Sequence, residues 1–305
     1  MIRFLFRRFL ESIPLFFMLS FLIFCLFEII PGDYLSEMEL DPSVSPERIE
    51  ELRQLYGIDR PFYLQYFHWI GQTLRGNLGF SFLQQRPAIE LIRDRLGNTL
   101  ALTGAAFFLT LLISFPLAIL GALRARRWPD RVSLFLSLIG LSLPTVLISL
   151  LFLYFAYLTG WFPIGGVGGA RHLFLPSLTL ALPMVAFFFR TFRLELIDAL
   201  GQPYVLAAAA RGLPRRRVVY HAVRNALNPL ISLMGLALGG LLSGSVVVEK
   251  VFSWPGVGAL TVSSIAQRDL YVALNCVMVA SVLIVGANLV ADLLLAWNDP
   301  RVRYQ

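Results

Sequence analysis

Residues 203–229 read PYVLAAAARGLPRRRVVYHAVRNALNP, and this stretch constrains the fold more tightly than any other in the chain. Pro203 suits a first helical turn, where its missing N–H would have been unpaired anyway. Tyr204, Val205, Leu206, Ala207, Ala208, Ala209 and Ala210 continue that helix with strong helix formers, and Arg211, Gly212 and Leu213 close it ahead of Pro214. Pro214 opens a second helix whose first turn is Arg215, Arg216 and Arg217. Its apolar positions, Val218, Val219, Ala222, Val223, Ala226 and Leu227, recur every turn. Three cations at a helix N-terminus oppose the helix dipole, so lipid phosphates or an acidic protein surface are expected beside them. A short alanine-surfaced helix tied down at both ends lets another backbone approach while ordering little side-chain freedom. It has the shape of a knob for a protein groove; on this physics alone it also fits an inert connector.

Long apolar runs lie on either side of it. Of 305 residues, 57% are hydrophobic and 15% charged, too few charges to cover the surface of soluble domains of that length. The mean hydropathy is +0.70. Apolar residues therefore face lipid, and disorder, collagen-like repeats and a disulfide scaffold are excluded. Cys25 and Cys276 sit inside apolar runs and carry no thiol chemistry. Crossing a hydrocarbon core of about 30 Å takes roughly 20 apolar residues. Six runs qualify: 9–30, 100–123, 132–158, 173–189, 229–248 and 272–297. The third is long enough to tilt; the fourth is short unless Arg190 and Arg193 snorkel from its end.

Basic residues orient these runs. Arg3, Arg7 and Arg8, then Arg124, Arg126, Arg127 and Arg131, then the arginines of 190–228, then Arg301 and Arg303 all fall on one side. Lys and Arg are retained on the cytoplasmic side, so both termini are expected there. The net charge of +7 is spread over these short clusters and forms no single basic face, which argues against nucleic acid as a partner. The N-terminal run continues too long, with no small-residue cleavage site, for a signal peptide and is expected to stay as the first helix. Three regions result: 1–30, an extracytoplasmic helical loop at 31–98, and a core at 99–305 containing the cytoplasmic loop 190–228.

The loop 31–98 is expected to hold a helix opened by Ser45-Pro46-Glu47 and ended by Gly57. An aromatic helix follows through Phe62, Tyr63, Tyr66, Phe67, Trp69 and Ile70, lying in the headgroup layer as an anchor or, alternatively, binding substrate. A short helix is expected from Pro87 to Leu96.

Several chemistries lack their residues. Lys250 is the only lysine and follows Glu249, so the phosphate-binding pattern ending Gly-Lys-Ser/Thr is absent and any coupling to ATP hydrolysis must come from a partner. The glycine-rich run 165–169 has Arg171 where a dinucleotide fingerprint needs its third glycine, and reads as a turn. His68, His172 and His221 are placed in loops, out of helical reach of one another, so no metal site is expected. Ser243-Gly244 lacks the partners of an intramembrane serine hydrolase. Glu28, Glu249 and Asp292 read as interfacial, and no carboxylate sits at mid-membrane to relay protons. Gly235 and Gly239, then Gly240 and Gly244, are spaced four apart for close helix packing, or to leave room for a pore.

The segment from Tyr204 to Leu213, continued by Arg216, Arg217, Arg224, Asn225 and Pro229, resembles the "EAA" coupling loop of ATP-binding-cassette importer permeases. It is most similar to that of the dipeptide/oligopeptide/nickel, binding-protein-dependent family. Pro31-Gly32-Asp33, residues 56–61, Arg75-Gly76-Asn77-Leu78-Gly79, Ser253-Trp254-Pro255-Gly256-Val257-Gly258 and residues 299–304 match recurrent segments of the same family, so the likeness runs over nearly the whole chain. Leu206 stands where the glutamate that names the loop would be, which removes a salt bridge there and not the docking. The resemblance implies an all-α, polytopic fold of the type I importer permeases, with six transmembrane helices and both termini cytoplasmic, in the inner membrane of a prokaryote. It implies a non-catalytic permease subunit for peptide import, half of a translocation path completed by a second homologous permease subunit. ATP and Mg would be bound by two cytoplasmic ATPase subunits docked on Tyr204 to Leu213, and this chain would bind no cofactor. An extracytoplasmic binding protein would deliver substrate, and the turn Ser253, Trp254, Pro255, Gly256 and Gly258 would reach toward it or the cavity, or be a simple turn. Apart from membrane lipid, no further partner is implied. Nickel or another small solute carried by the same machinery is the nearest alternative; a stand-alone channel or intramembrane enzyme is the alternative of another class.

Overall fold

A computed structural model of the chain describes residues 2–29, 61–81 and 83–298, with positions 45 and 47 in isolation. Helix α1 spans Ile2–Glu28 and α2 Phe62–Leu74; β1 (Phe80–Ser81) pairs antiparallel with β2 (Arg86–Pro87). Then follow α3 (Ala88–Leu123), α4 (Trp128–Ser142), α5 (Thr145–Thr159), α6 (Ala170–Leu200), α7 (Pro203–Ala210), α8 (Arg215–Val251), α9 (Val257–Ala266) and α10 (Leu270–Asn298). The helix expected to open at Ser45-Pro46-Glu47 and the tail 299–304 lie outside the described residues.

Helices α1, α3, α6, α8 and α10 are long and apolar enough to cross a membrane, and α4 with α5 brings the number to six if that bent pair is one span. The run 132–158 was expected as one long tilted helix and is instead broken, α4 and α5 meeting at 104°. The cause is local. Pro144 has no N–H to donate and its ring disfavours helical geometry at Leu143, which is extended with φ −79° and ψ 127°. Each arm has 15 residues, about 22 Å of helix, short of a crossing by itself.

Three other expectations change. The helix beginning after Pro87 does not stop at Leu96 but continues through Gly97 and Asn98 as the 36-residue α3. The short fourth run belongs to the 31-residue α6, which extends past Arg190 and Arg193. The second helix of the opening stretch and the fifth run are one 37-residue helix, α8, with Pro229 inside it. In each case the apolar run marks only the membrane-depth part of a longer helix.

Helix α6 packs against α3, α4, α5 and α8. One apolar cluster joins Ala118 and Ala122 of α3, Phe188, Phe192 and Leu196 of α6, Val205 of α7, and Ala222 and Ala226 of α8 at the arginine-rich end. A second joins Leu102, Ala156, Leu175, Leu180, Leu241, Val248 and Trp254 toward the opposite end. The paired glycines of α8 divide between two neighbours. A Cβ at Gly235 would stand 2.6 Å from Asn288 Oδ1 of α10 and one at Gly239 3.3 Å from Ile284; at Gly240 it would meet Met184 of α6 at 2.8 Å and at Gly244 Leu180 at 3.1 Å.

The aromatic helix α2 is partly tertiary core. Tyr66, Trp69 and Ile70 are buried against Ile23 and Phe24 of α1 and Leu274 and Met278 of α10, while Tyr63 and Phe67 are exposed. Tyr66 Oη lies 2.8 Å from Ser20 Oγ. Asn275 of α10 donates to the Leu78 carbonyl at 3.0 Å, and Ser81 donates to Asp269 Oδ2 at 2.5 Å, fastening the hairpin to the start of α10. Burial pushes the Asp269 carboxyl above its ordinary range, opposed by the Ser81 hydrogen bond. Trp69→Ala is expected to destabilise the folded chain by about 3–5 kcal/mol, whereas Phe67→Ala stays within about 0.5 kcal/mol. Denaturant titration of the detergent-solubilised chain, followed by tryptophan-independent circular dichroism, measures both.

Candidate functional site

At the arginine-rich end, Gln202 is extended (φ −71°, ψ 145°) and Pro203 begins α7. Gly212, at φ +79°, ends it: its N–H donates to the Ala209 carbonyl at 3.0 Å and that of Leu213 to Ala208 at 3.3 Å. A left-handed residue after the last turn favours glycine, as the sequence indicated. Of this eight-residue helix only Val205 is buried, seated among Phe192, Leu196, Ala199, Ala222 and Ala226. Tyr204, Leu206, Ala207, Ala209, Ala210 and Arg211 are exposed, presenting an apolar, mostly small surface. Ala208 and Leu213 are half-buried. Arg215, Arg216, Arg217, Arg224 and Asn225 on α8 are also exposed, and Pro229 is half-buried. The α8 face expected to be apolar is buried at Ala222 and Ala226, with Val218, Val223 and Leu227 packed beside them.

Next to this knob is an ion pair that no sequence pattern marks. Arg193 of α6 donates through Nε to Asp130 Oδ1 and through Nη2 to Asp130 Oδ2 at 2.6 Å. Asp130, in the first turn of α4, also accepts the backbone N–H of Arg126 at 2.7 Å. Asp130 is 1% and Arg193 8% exposed. The short fourth run offers Arg193 a snorkelling position, whereas the structure pairs it with a residue 63 positions away, a contact with no local signature.

The opposite end holds a buried carboxylate. Glu249, expected at an interface, is fully buried. Thr99 Oγ1 donates to its Oε1 at 2.7 Å and the Ala259 N–H to its Oε2 at 2.9 Å. Thr99 in turn accepts the Val257 N–H at 2.8 Å. Trp254 Nε1 donates to the Asn98 carbonyl at 3.0 Å, and Asn98 Nδ2 to that of Pro255 at 2.9 Å. The turn Ser253 to Gly258 is thus fixed between α3, α8 and α9. A Cβ at Gly256 would fall 2.2 Å from Glu249 Cδ, and one at Gly258 2.7 Å from Val246 Cα. The glycine-rich run reaches the same corner, Gly166 donating to the Phe252 carbonyl at 3.1 Å. Ser253 has φ +51°. Glycines spaced two apart after a Trp-Pro were the one local signal of this crowding.

A cavity of about 310 Å³ lies between α1, α8 and α10, lined by Glu11, Ser12, Ser232, Gly235, Asn288 and Asp292. His68, His172 and His221, expected in loops, are in α2, the first turn of α6 and α8. Among the described residues no three His, Cys, Asp or Glu side chains are grouped to hold a metal ion.

Residues 114–304 match the family described as binding-protein-dependent transport system inner membrane component, and residues 1–103 match its N-terminal part. Over the full length of both chains the protein is 38% identical to the oligopeptide transport system permease protein AppB of Bacillus subtilis. It is 36% identical, again over the full length of both, to the glutathione transport system permease protein GsiC of Escherichia coli K12.

Proposed function

The chain belongs to the binding-protein-dependent transport system inner membrane components, and from that premise we propose that it forms half of the translocation path of a peptide importer. It is a multi-pass inner membrane protein. Two relatives matched end to end are named for an oligopeptide and for glutathione, itself a peptide, which favours peptide over nickel as cargo. The subunit itself does no chemistry: ATP and Mg belong to two ATPase subunits on the arginine-rich side. A second, homologous permease subunit completes the path, and an extracytoplasmic binding protein engages the side of the Ser253–Gly258 turn.

The observation that carries this reading is α7, a short helix held by one buried side chain and offering Tyr204, Leu206 and a small-residue surface outward. The triple-arginine turn beside it would meet acidic groups of an ATPase or of lipid. Movement of α7 when the ATPases close on ATP would swing the spans between inward- and outward-facing arrangements.

The test is reconstitution. The chain with its companion permease, ATPases and binding protein should take up peptide into proteoliposomes only with ATP inside the ATPase compartment, and hydrolysis should rise with loaded binding protein. Peptide flux through vesicles containing this chain alone would replace the importer with a channel.

A further inference from the structure

We propose that the Arg193–Asp130 pair is the strut that carries motion of the ATPase-docking helix to the ends of α3 and α4, making both residues positioning residues for coupled transport. This rests on the importer reading above, since it assumes that α7 is where the ATPases act.

The connection is continuous. Helix α6 ends at Leu200, and only Gly201 and Gln202 separate it from α7. The Gly201 N–H bonds back to Ile197 and Asp198, and Gln202 N–H to Ala199, so this corner has no slack backbone. Val205 then seats α7 against Phe192, Leu196 and Ala199, the part of α6 that flanks Arg193. A displacement of α7 must therefore take the last two turns of α6 with it.

From there the guanidinium reaches across to α4. It holds both Asp130 oxygens, a two-point contact that fixes orientation as well as distance, as a single ammonium would not. Asp130 Oδ2 also holds the Arg126 N–H, and Arg126 is left-handed at φ +66°, so the carboxylate sets the shape of the turn joining α3 to α4. Gly121 of α3 closes the arrangement: a Cβ there would stand 3.3 Å from Asp130 Oδ1, 3.4 Å from Phe189 and 3.5 Å from Arg193. Both charges are buried, Asp130 at 1% and Arg193 at 8% exposure, and losing either partner leaves the other largely uncompensated. Beyond the strut, α4 leads to the 104° break with α5, where two helical arms meet at Pro144.

The experiment uses the whole reconstituted importer and reads peptide taken up per ATP hydrolysed, in assembled complexes quantified by subunit stoichiometry. R193K keeps the charge but loses the fork, and is expected to assemble while lowering that ratio about tenfold, within the range of coupling between distant sites. The double variant D130N/R193Q removes both charges together; it should restore the yield of complex lost in D130N alone without restoring the ratio. A merely structural pair would change yield and leave the ratio at the wild-type value, and that result overturns the proposal. An independent reading needs no change at the pair. With Cys25→Ser, spin labels at Gln202→Cys and Arg131→Cys, both exposed, should keep one distance distribution in nucleotide-free and ATP-bound complexes. If α7 shifts relative to α4 between those states, the strut does not exist. A wild-type complex lacking binding-protein-stimulated hydrolysis would instead defeat the importer reading.

Discussion

Gly256→Ala is expected to abolish peptide uptake and to lower the thermal midpoint of the purified complex by several degrees, although it adds only a methyl group. The backbone is not the reason: Gly256 is extended at φ −104° and ψ 179°, open to any residue. The space is. The new Cβ would lie 2.2 Å from Glu249 Cδ and within 2.4 Å of both carboxylate oxygens. Glu249 cannot swing away cheaply, because it is fully buried and accepts from Thr99 and from the Ala259 N–H. Either the turn moves outward, or the carboxylate gives up those donors while still buried; overpacking of this kind costs about 1–3 kcal/mol, and an unpaired buried carboxylate more. Moving the turn pulls Trp254 from Asn98 and Val257 from Thr99, opening the junction of α3, α8 and α9. Lys250→Ala, one residue from Glu249 but exposed, should leave uptake near the wild-type level. Uptake by Gly256→Ala at the wild-type rate would mean that this turn is slack.

That turn also marks how far the sequence could be read. Apolar run length located the five long crossing helices among the described residues because about 20 residues of hydrocarbon-facing helix leave an unmistakable composition. Pro203, Gly212 and Pro214 fixed both ends of α7, since each acts through its own backbone. Pro144 carries the same kind of signal for the break between α4 and α5, yet prolines inside spans are common enough that the residue by itself does not announce a 104° bend. The helix ends beyond the membrane lie farther out than the apolar runs because polar helix formers continue a helix as well as end a span. The polar contacts were the real loss. Glu249 meets Thr99 across 150 positions and Asp130 meets Arg193 across 63. Nothing near any of these residues distinguishes a buried, paired charge from an interfacial one; only the packing of α8 against α3 and of α6 against α4 decides it.

Val205→Asp should strip most of the ATPase from the complex if α7 is the docking helix proposed above. Val205 is the single buried side chain of α7, 2% exposed, and its surroundings are hydrocarbon from Phe192, Leu196, Ala222 and Ala226. A carboxylate there has no donor within the cluster, and burying it would cost several kcal/mol, so the side chain leaves for water instead. An eight-residue helix has little stability of its own. Once its anchor is out, α7 unwinds between Gly201 and Gly212, and the surface of Tyr204, Leu206 and the alanines is lost with it. Helices α6 and α8 keep their other contacts with each other and with α3, so the membrane-embedded chain should still fold and keep its helical circular dichroism. Co-purified ATPase should fall at least tenfold, about 1.4 kcal/mol or more of docking energy at subsaturating subunit concentration, and stimulated hydrolysis should vanish. Val205→Ala, which leaves a small cavity and no charge, should retain most of both. The exposed neighbour Ala207→Asp separates the seat from the surface: α7 keeps its anchor there, so any loss of docking must come from the charged face itself. Normal ATPase binding by Val205→Asp would show that the subunits grip the α8 arginines, or some other part of this end, and not the helix that Val205 holds in place.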